Sequence, residues 1–395
     1  MKRSAPLVAF ALLLALLAAF ALHTPKQGTW DILEYTAAAE AVHNNDFLHL
    51  HRYAYAQLQQ HTSSANFADL TSASDYRRQS AADPVLFGTG LQFYAIRPLY
   101  VLALAAGMAL GANPVLSAGV VAALAYWIIG LTVFLWLRAH SSTWFAFTAA
   151  LLLMLTYPLL LVGRLYTPDA LAACATTVAA YLIFERRTML PGVSLLLASV
   201  WMRTDACIFV GFTLLFLAFA DDERIRLPLA HALALIALTA ASVLAINHFA
   251  GNYGFASLMH NQFVREADPP DAPYRLSLGL YLRALASPQG APAALRGYTF
   301  AFLLLGAMAA IRRRTTLRDV GLIGALTAAA HFVIFPYFHD RLFAGEYILL
   351  ALSALGTLSV ALRRSAQDED RAHPAPLEIA STRPSRPVAV SPRRA

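Results

Sequence analysis

The chain of 395 residues is 58% apolar and only 13% charged, whereas soluble domains carry about 25% charged side chains. Its net charge of +7 comes from 30 Lys and Arg against 23 Asp and Glu, with the basic residues in short clusters between apolar runs, as in cytoplasmic membrane loops. This excludes a soluble enzyme, a nucleic-acid binder and a disulfide scaffold. The two cysteines, Cys174 and Cys207, both lie in apolar stretches and form no metal pattern. The chain reads as an all-α polytopic membrane protein.

The first apolar run, Pro6 to Leu22, follows Lys2 and Arg3. It is just long enough to cross a bilayer, and a retained first helix is preferred here to a cleaved signal peptide. Residues 24–92 form a polar loop with four Lys and Arg against seven Asp and Glu, a balance that places it outside. His43, His49, His51 and His61 within it show no convergent ligand spacing, so no metal is expected. Apolar runs then recur at 98–111, 115–137, 143–162, 170–184, 190–202, 206–220, 228–248, 297–311, 320–336 and 345–362.

The basic clusters at 185–187, 222–226, 312–314 and 363–364 all fall inside if residues 190–220 go out and return. Arg203-Thr204-Asp205 is then the outer tip of that excursion. The 98–111 run, about 21 Å long as a helix, reads as a half-helix or surface helix. The expected product is one transmembrane domain over 1–362 with about ten crossings, outer loops at 24–92 and 249–296, and juxtamembrane helices in the first loop. Residues 363–395 are rich in Pro and Arg and read as a disordered cytoplasmic tail.

Charged groups at membrane depth need a partner or a task, and four outward-facing places hold them. In Gly28-Thr29-Trp30-Asp31-Ile32-Leu33-Glu34-Tyr35, Thr29 caps a predicted helix. Asp31 then lies in its first turn, with Glu34 and Tyr35 one turn later. Asp31 is a candidate general base; a dipole-favoured surface carboxylate is the bland alternative. Arg97-Pro98-Leu99-Tyr100 marks re-entry into the membrane, with Arg97 either a snorkelling anchor or a phosphate clamp. Gly163 to Asp169, with Tyr166 inside it, forms a short outer turn. Arg203 and Asp205, with His339-Asp340-Arg341, make the fourth place. Arg and Asp that lie close in sequence can simply neutralise each other, but four such places favour one shared polar cavity.

The order of these features resembles the GT-C superfamily of membrane glycosyltransferases, nearest the protein O-mannosyltransferase and aminoarabinose transferase branches. Asp31 and Tyr35 match the family's Asp-Glu-x-x-Tyr-like motif, with Ile32 in place of the second acid. Arg97-Pro98-Leu99-Tyr100 stands where a Pro-Pro-Leu-Tyr re-entry lies, and Thr167-Pro168-Asp169 matches a later outer turn. The resemblance implies transfer of a sugar from a polyprenyl-phosphate donor to a lipid, glycan or protein acceptor, at the periplasmic face of a bacterial inner membrane. It implies no cofactor and no metal. Asp31, with Glu34 as the possible substitute acid, would carry catalysis, and Arg97, Arg203 and Arg341 would bind the donor phosphate. Tyr35, Tyr100, Tyr166, Asp169, Asp205, His339 and Asp340 would contact substrate. A transporter for a lipid-linked or anionic amphiphile would use similar charges, but nearer the bilayer midplane.

Overall fold

A computed structural model describes residues 5–24, 29–264, 275–297 and 316–372. The described residues contain helices and turns and no strand. The 297–311 run beyond its first residue, the 312–314 cluster, Gly28 and most of the tail lie outside them. Helix α1 (Ala5–His23) is apolar on every side. It docks through Phe10, stacked on Phe134 at 4.6 Å, and through the Trp127 indole N–H, which donates to the Ala11 carbonyl at 3.0 Å.

The polar segment that follows folds into five helices, α2 (Asp31–Glu40), α3 (Phe47–His61), α4 (Ser64–Ser72), α5 (Asp75–Ala82) and α6 (Pro84–Gly90). Asp46, Ser63, Ser74 and Asp83 cap the last four by accepting backbone N–H groups of the first turn. Helix α2 differs from the expectation: it starts at Asp31, and Thr29 gives no cap bond, its hydroxyl being buried without a partner. Ile32, Leu33, Leu50, Leu58, Leu70 and Phe87 supply these helices with a core of their own. The loop histidines are partly absorbed by it. His49 meets Glu40 at 2.9 Å, and His51 bonds the Ser80 carbonyl and packs on Tyr55 and Phe87.

Helix α7 (Pro98–Ala109) has Pro at its start and 12 residues, about 18 Å. It is one of three apolar helices among the described residues, the other two given below, that fall short of the length of a full crossing. Gly111, at φ +90°, turns the chain, and Asn113 caps α8 (Pro114–His140), the 27-residue axis of the bundle. The 143–162 run is not one straight span. It breaks into α9 (Thr143–Met154) and α10 (Tyr157–Arg164), bent by 63°, because Pro158 enters the first turn of the second piece.

Helix α11 (Asp169–Ala180) runs on through a π-helical turn at Tyr181–Glu185. Helices α12 (Met189–Met202) and α13 (Ala206–Ala218) follow, then α14 (Leu229–Phe249), α15 (Phe255–Val264), α16 (Leu278–Ala286), α17 (Thr316–Ile334) and α18 (Ala344–Ala372). The last helix continues past the boundary expected at 362, so the first part of the predicted tail is helical. Among the described residues, five helices are long and apolar enough to cross a membrane, or six with the bent pair taken as one span. Large apolar side chains such as Leu12, Leu16, Leu152 and Leu244 remain exposed around them, as lipid contact requires and aqueous solvent penalises.

One end of the bundle gathers the clusters at 185–187 and 222–226. His140 bonds Glu185 at 2.7 Å, the Ser359 hydroxyl donates to the His140 carbonyl at 3.1 Å, and Arg187 pairs with Asp222 at 3.0 Å. The last pair joins the start of α12 to the chain just after α13, so these two helices go out and return. Their tip, Arg203 to Asp205, therefore lies at the other end.

Candidate active site

Four separate stretches of chain meet at that other end. Asp31 begins α2, Asp169 begins α11, Arg203 ends α12, Asp205 precedes α13, and Arg341 lies in a 3-10 turn before α18. Each stands at a helix terminus because an ionised group in the middle of an apolar helix would meet hydrocarbon, whereas helix ends converge on one polar space.

The side chains form an alternating ladder. The Arg341 guanidinium donates to Asp31 at 2.6 Å and lies 3.8 Å from Asp169. Arg203 donates to Asp169 at 2.7 Å and to both oxygens of Asp205. His331 on α17 approaches Asp205 at 3.4 Å. Asp169 is completed by the Thr167 hydroxyl, which donates at 2.6 Å, so the Thr167-Pro168-Asp169 turn builds its own carboxylate support. Asp340 and Arg341 do not neutralise each other; Arg341 reaches Asp31 and Asp169 instead. His339 caps the 3-10 turn by accepting the Arg341 N–H. Burial and the Arg341 charge hold its imidazole below the usual value, hence neutral.

Asp31 has a second donor, the Tyr94 hydroxyl at 3.1 Å. Burial pushes its carboxyl up, but Arg341, Arg97 and Tyr94 together hold it below the ordinary carboxylate value. Arg97 spreads over the rings of Tyr35 and Tyr94 at 6.0 and 5.9 Å. Its guanidinium also donates to the Phe93 carbonyl. Tyr35 packs edge-on against Tyr94 and Tyr100, and Tyr166 packs at the margin of the same cluster. Tyr35 and Tyr100 are buried, and they serve as a wall behind Asp31 and Arg97.

Glu34 stands apart from the ladder. Its side chain is fully buried, and neither oxygen has a hydrogen-bond partner. The carboxyl packs against Gly90, where even a methyl group would come within 2.7 Å of it, with the Tyr76 hydroxyl close by. Burial, then the Asp31 charge, raises its pKa well above the ordinary range. Glu34 therefore lies behind the site and holds its proton more tightly than an ordinary carboxyl, whereas Asp31 holds its proton less tightly.

Asp169, Thr176, Arg203, His331, Arg341 and Glu346 line a cavity of about 40 Å³ between α11, α13, α17 and α18. That holds a water or two; a sugar enters only if these elements part. His331 and Glu346 escaped the sequence reading, although both are ionisable residues inside apolar runs, a recognisable signal. Tyr94 was hidden among interfacial aromatics. Among the described residues no group of three or more His, Cys, Asp and Glu is arranged to hold a metal ion. Of the predicted loop 249–296, Tyr253 packs near Phe93 at 5.6 Å and His260 lies on α15, while Arg265 and Tyr274 fall outside the described residues. No family model, curated protein or solved structure matches the chain.

Proposed function

We propose that the protein is an integral-membrane glycosyltransferase of GT-C-like architecture, with about ten crossings and its site facing the periplasm of a bacterial inner membrane. It takes a sugar from a polyprenyl-phosphate donor and passes it to a lipid, glycan or protein acceptor. The observation that carries this reading is Asp31 held between the Arg341 guanidinium and the Tyr94 hydroxyl, in a ladder whose other guanidinium, Arg203, lies one carboxylate away.

An acceptor hydroxyl or amine attacks the anomeric carbon, and the bond from that carbon to the phosphate oxygen breaks. The proton of the attacking group passes to Asp31. The electron pair leaves with the lipid phosphate, whose growing charge is met by Arg341, Arg97 and Arg203. A carboxylate clamped by arginine is a poor base. Donor binding relieves this, because the incoming phosphate draws Arg341 from Asp31 and leaves the carboxylate more basic when the acceptor arrives. The guanidinium groups stabilise the leaving phosphate by hydrogen bonding and charge, which fits the metal-free chemistry that the resemblance implies.

The test is direct transfer by the purified protein in lipid nanodiscs, with a panel of radiolabelled polyprenyl-phosphate sugars and membrane extract as acceptor. Wild type is expected to transfer from at least one donor, and Asp31→Asn to lose on the order of a hundredfold or more in rate. Unchanged transfer by the variant removes Asp31 from the chemistry. No transfer from any donor, with saturable lipid-phosphate binding intact, replaces the enzyme with a transporter.

A further inference from the structure

A second constellation lies at the basic end of the bundle, remote from Asp31. An open cleft of about 480 Å³ separates the last turn of α8 from the π-helical turn after α11, lined by Leu135, Arg138, Ala139, Tyr181, Glu185 and Arg186. The π-helical turn is defined by the Arg186 N–H donating to the Tyr181 carbonyl, five residues back, at 3.0 Å. Such widened turns recur at functional sites because they re-aim side chains that a regular helix would point elsewhere. Here Tyr181, Glu185 and Arg186 share a wall facing Arg138.

The charges around this cleft are unevenly satisfied. Glu185 is engaged by His140 at 2.7 Å, and Arg187 by Asp222 at 3.0 Å and by the Phe184 carbonyl. Neither the Arg138 nor the Arg186 guanidinium has a hydrogen-bond or ion-pair partner among the described residues. Arg138 is nonetheless half-buried, at the membrane boundary where burial of an uncompensated cation is costly. Two forked donors on a cleft of this size, with a tyrosine beside them, suit the oxygens of a phosphate group.

We propose that this cleft binds a phosphate group, either the phosphodiester of an anionic lipid in the leaflet at the basic end or a free phosphate anion. Arg138 and Arg186 hold its oxygens, and Tyr181 covers the apolar side. The bound anion would replace the missing counter-charge and tie α8 to α11, so the cleft works as a lipid-sensitive joint distinct from the proposed transfer site.

Native mass spectrometry of the full-length protein, extracted in mild detergent, tests this with three probes: cardiolipin, phosphatidylcholine and inorganic phosphate. The proteins compared are wild type, Arg138→Gln with Arg186→Gln, and Arg226→Gln, which removes an exposed charge at the same end but outside the cleft. Wild type and Arg226→Gln are expected to retain cardiolipin over phosphatidylcholine, and the double variant to bind it about tenfold or more weakly. Phosphate that saturates lipid-free wild type but not the double variant also supports the site and assigns it to the free anion. Arg138→Lys with Arg186→Lys, which keeps both charges, is expected to recover part of the binding and so excludes simple misfolding. Equal binding by all the proteins, or an equal loss in Arg226→Gln, overturns the proposal.

Discussion

At the residue scale, two acids one helical turn apart have opposite fates. Asp31 faces guanidinium groups, which hold its pKa below the ordinary value; Glu34 faces Gly90 near the Tyr76 hydroxyl, and burial raises its pKa. The folded state binds the Glu34 proton more tightly than the unfolded chain does. Stability is therefore lost as pH rises from the ordinary value of 4.5 towards the raised one. Glu34→Gln removes that loss, so its melting temperature should exceed that of wild type at pH 8 while the two converge near pH 4. Parallel melting curves across this range would show that the carboxyl is ionised in the fold. Arg203 behaves differently, because its side chain and that of Asp169 are both nearly inaccessible. Arg203→Gln strands two carboxylates and should cost about 3–5 kcal/mol. Pairing it with Asp169→Asn should return part of that loss in a double-mutant thermal-melt cycle. Much of this site was legible as residue types: Asp31, Arg97, Asp169, Arg203, Asp205 and Arg341 stand out as charges between apolar runs. Their pairing was not, since Arg341 bonds a residue 310 positions away rather than its neighbour Asp340.

At the element scale, the structure departs from the sequence where a helix end depends on one residue. Asn113, Ser142, Asp46 and Asp83 cap as their types suggest, but Thr29 does not, because tertiary packing buries its hydroxyl. The break between α9 and α10 was marked by Pro158, yet hydropathy runs smoothly through it and masks the bend. The end of α10 is tightly fixed. A Cβ on Gly163 would lie 2.8 Å from the ring of Tyr126, and that ring is anchored by its hydroxyl donating to the Met154 carbonyl at 2.7 Å. Gly163→Ala should therefore destabilise by about 1–3 kcal/mol through overpacking, read as a lowered melting temperature. A variant that melts like wild type would mean that α10 yields more readily than its contacts indicate. The first loop was legible as an acidic polar segment with juxtamembrane helices, although the caps Asp46, Ser63, Ser74 and Asp83 were not singled out. Its five-helix core was not legible, because each helix is short and only their mutual packing makes a stable unit.

At the scale of the whole molecule, the two ends are chemically unlike. One concentrates arginines that pair with cytoplasmic-type clusters or stand open; the other holds the balanced ladder of three aspartates with Arg203, Arg341 and the nearby Arg97. The composition and the periodic apolar runs indicate the membrane class, while the number of crossings depends on short helices that no hydropathy window resolves. Helices α12 and α13 have 14 and 13 residues, about 20 Å each against a hydrocarbon core of about 30 Å. Their tip thus sits below the opposite surface, and the bilayer beside it must thin or admit water. If the proposed lipid-linked donor is the substrate, a dimple of this kind would bring headgroups down to Arg203 rather than asking the protein to lift a charged lipid out of its leaflet. On that reading the shortness of two helices would set the depth at which the lipid meets the protein, and make the thickness of the surrounding membrane part of the site.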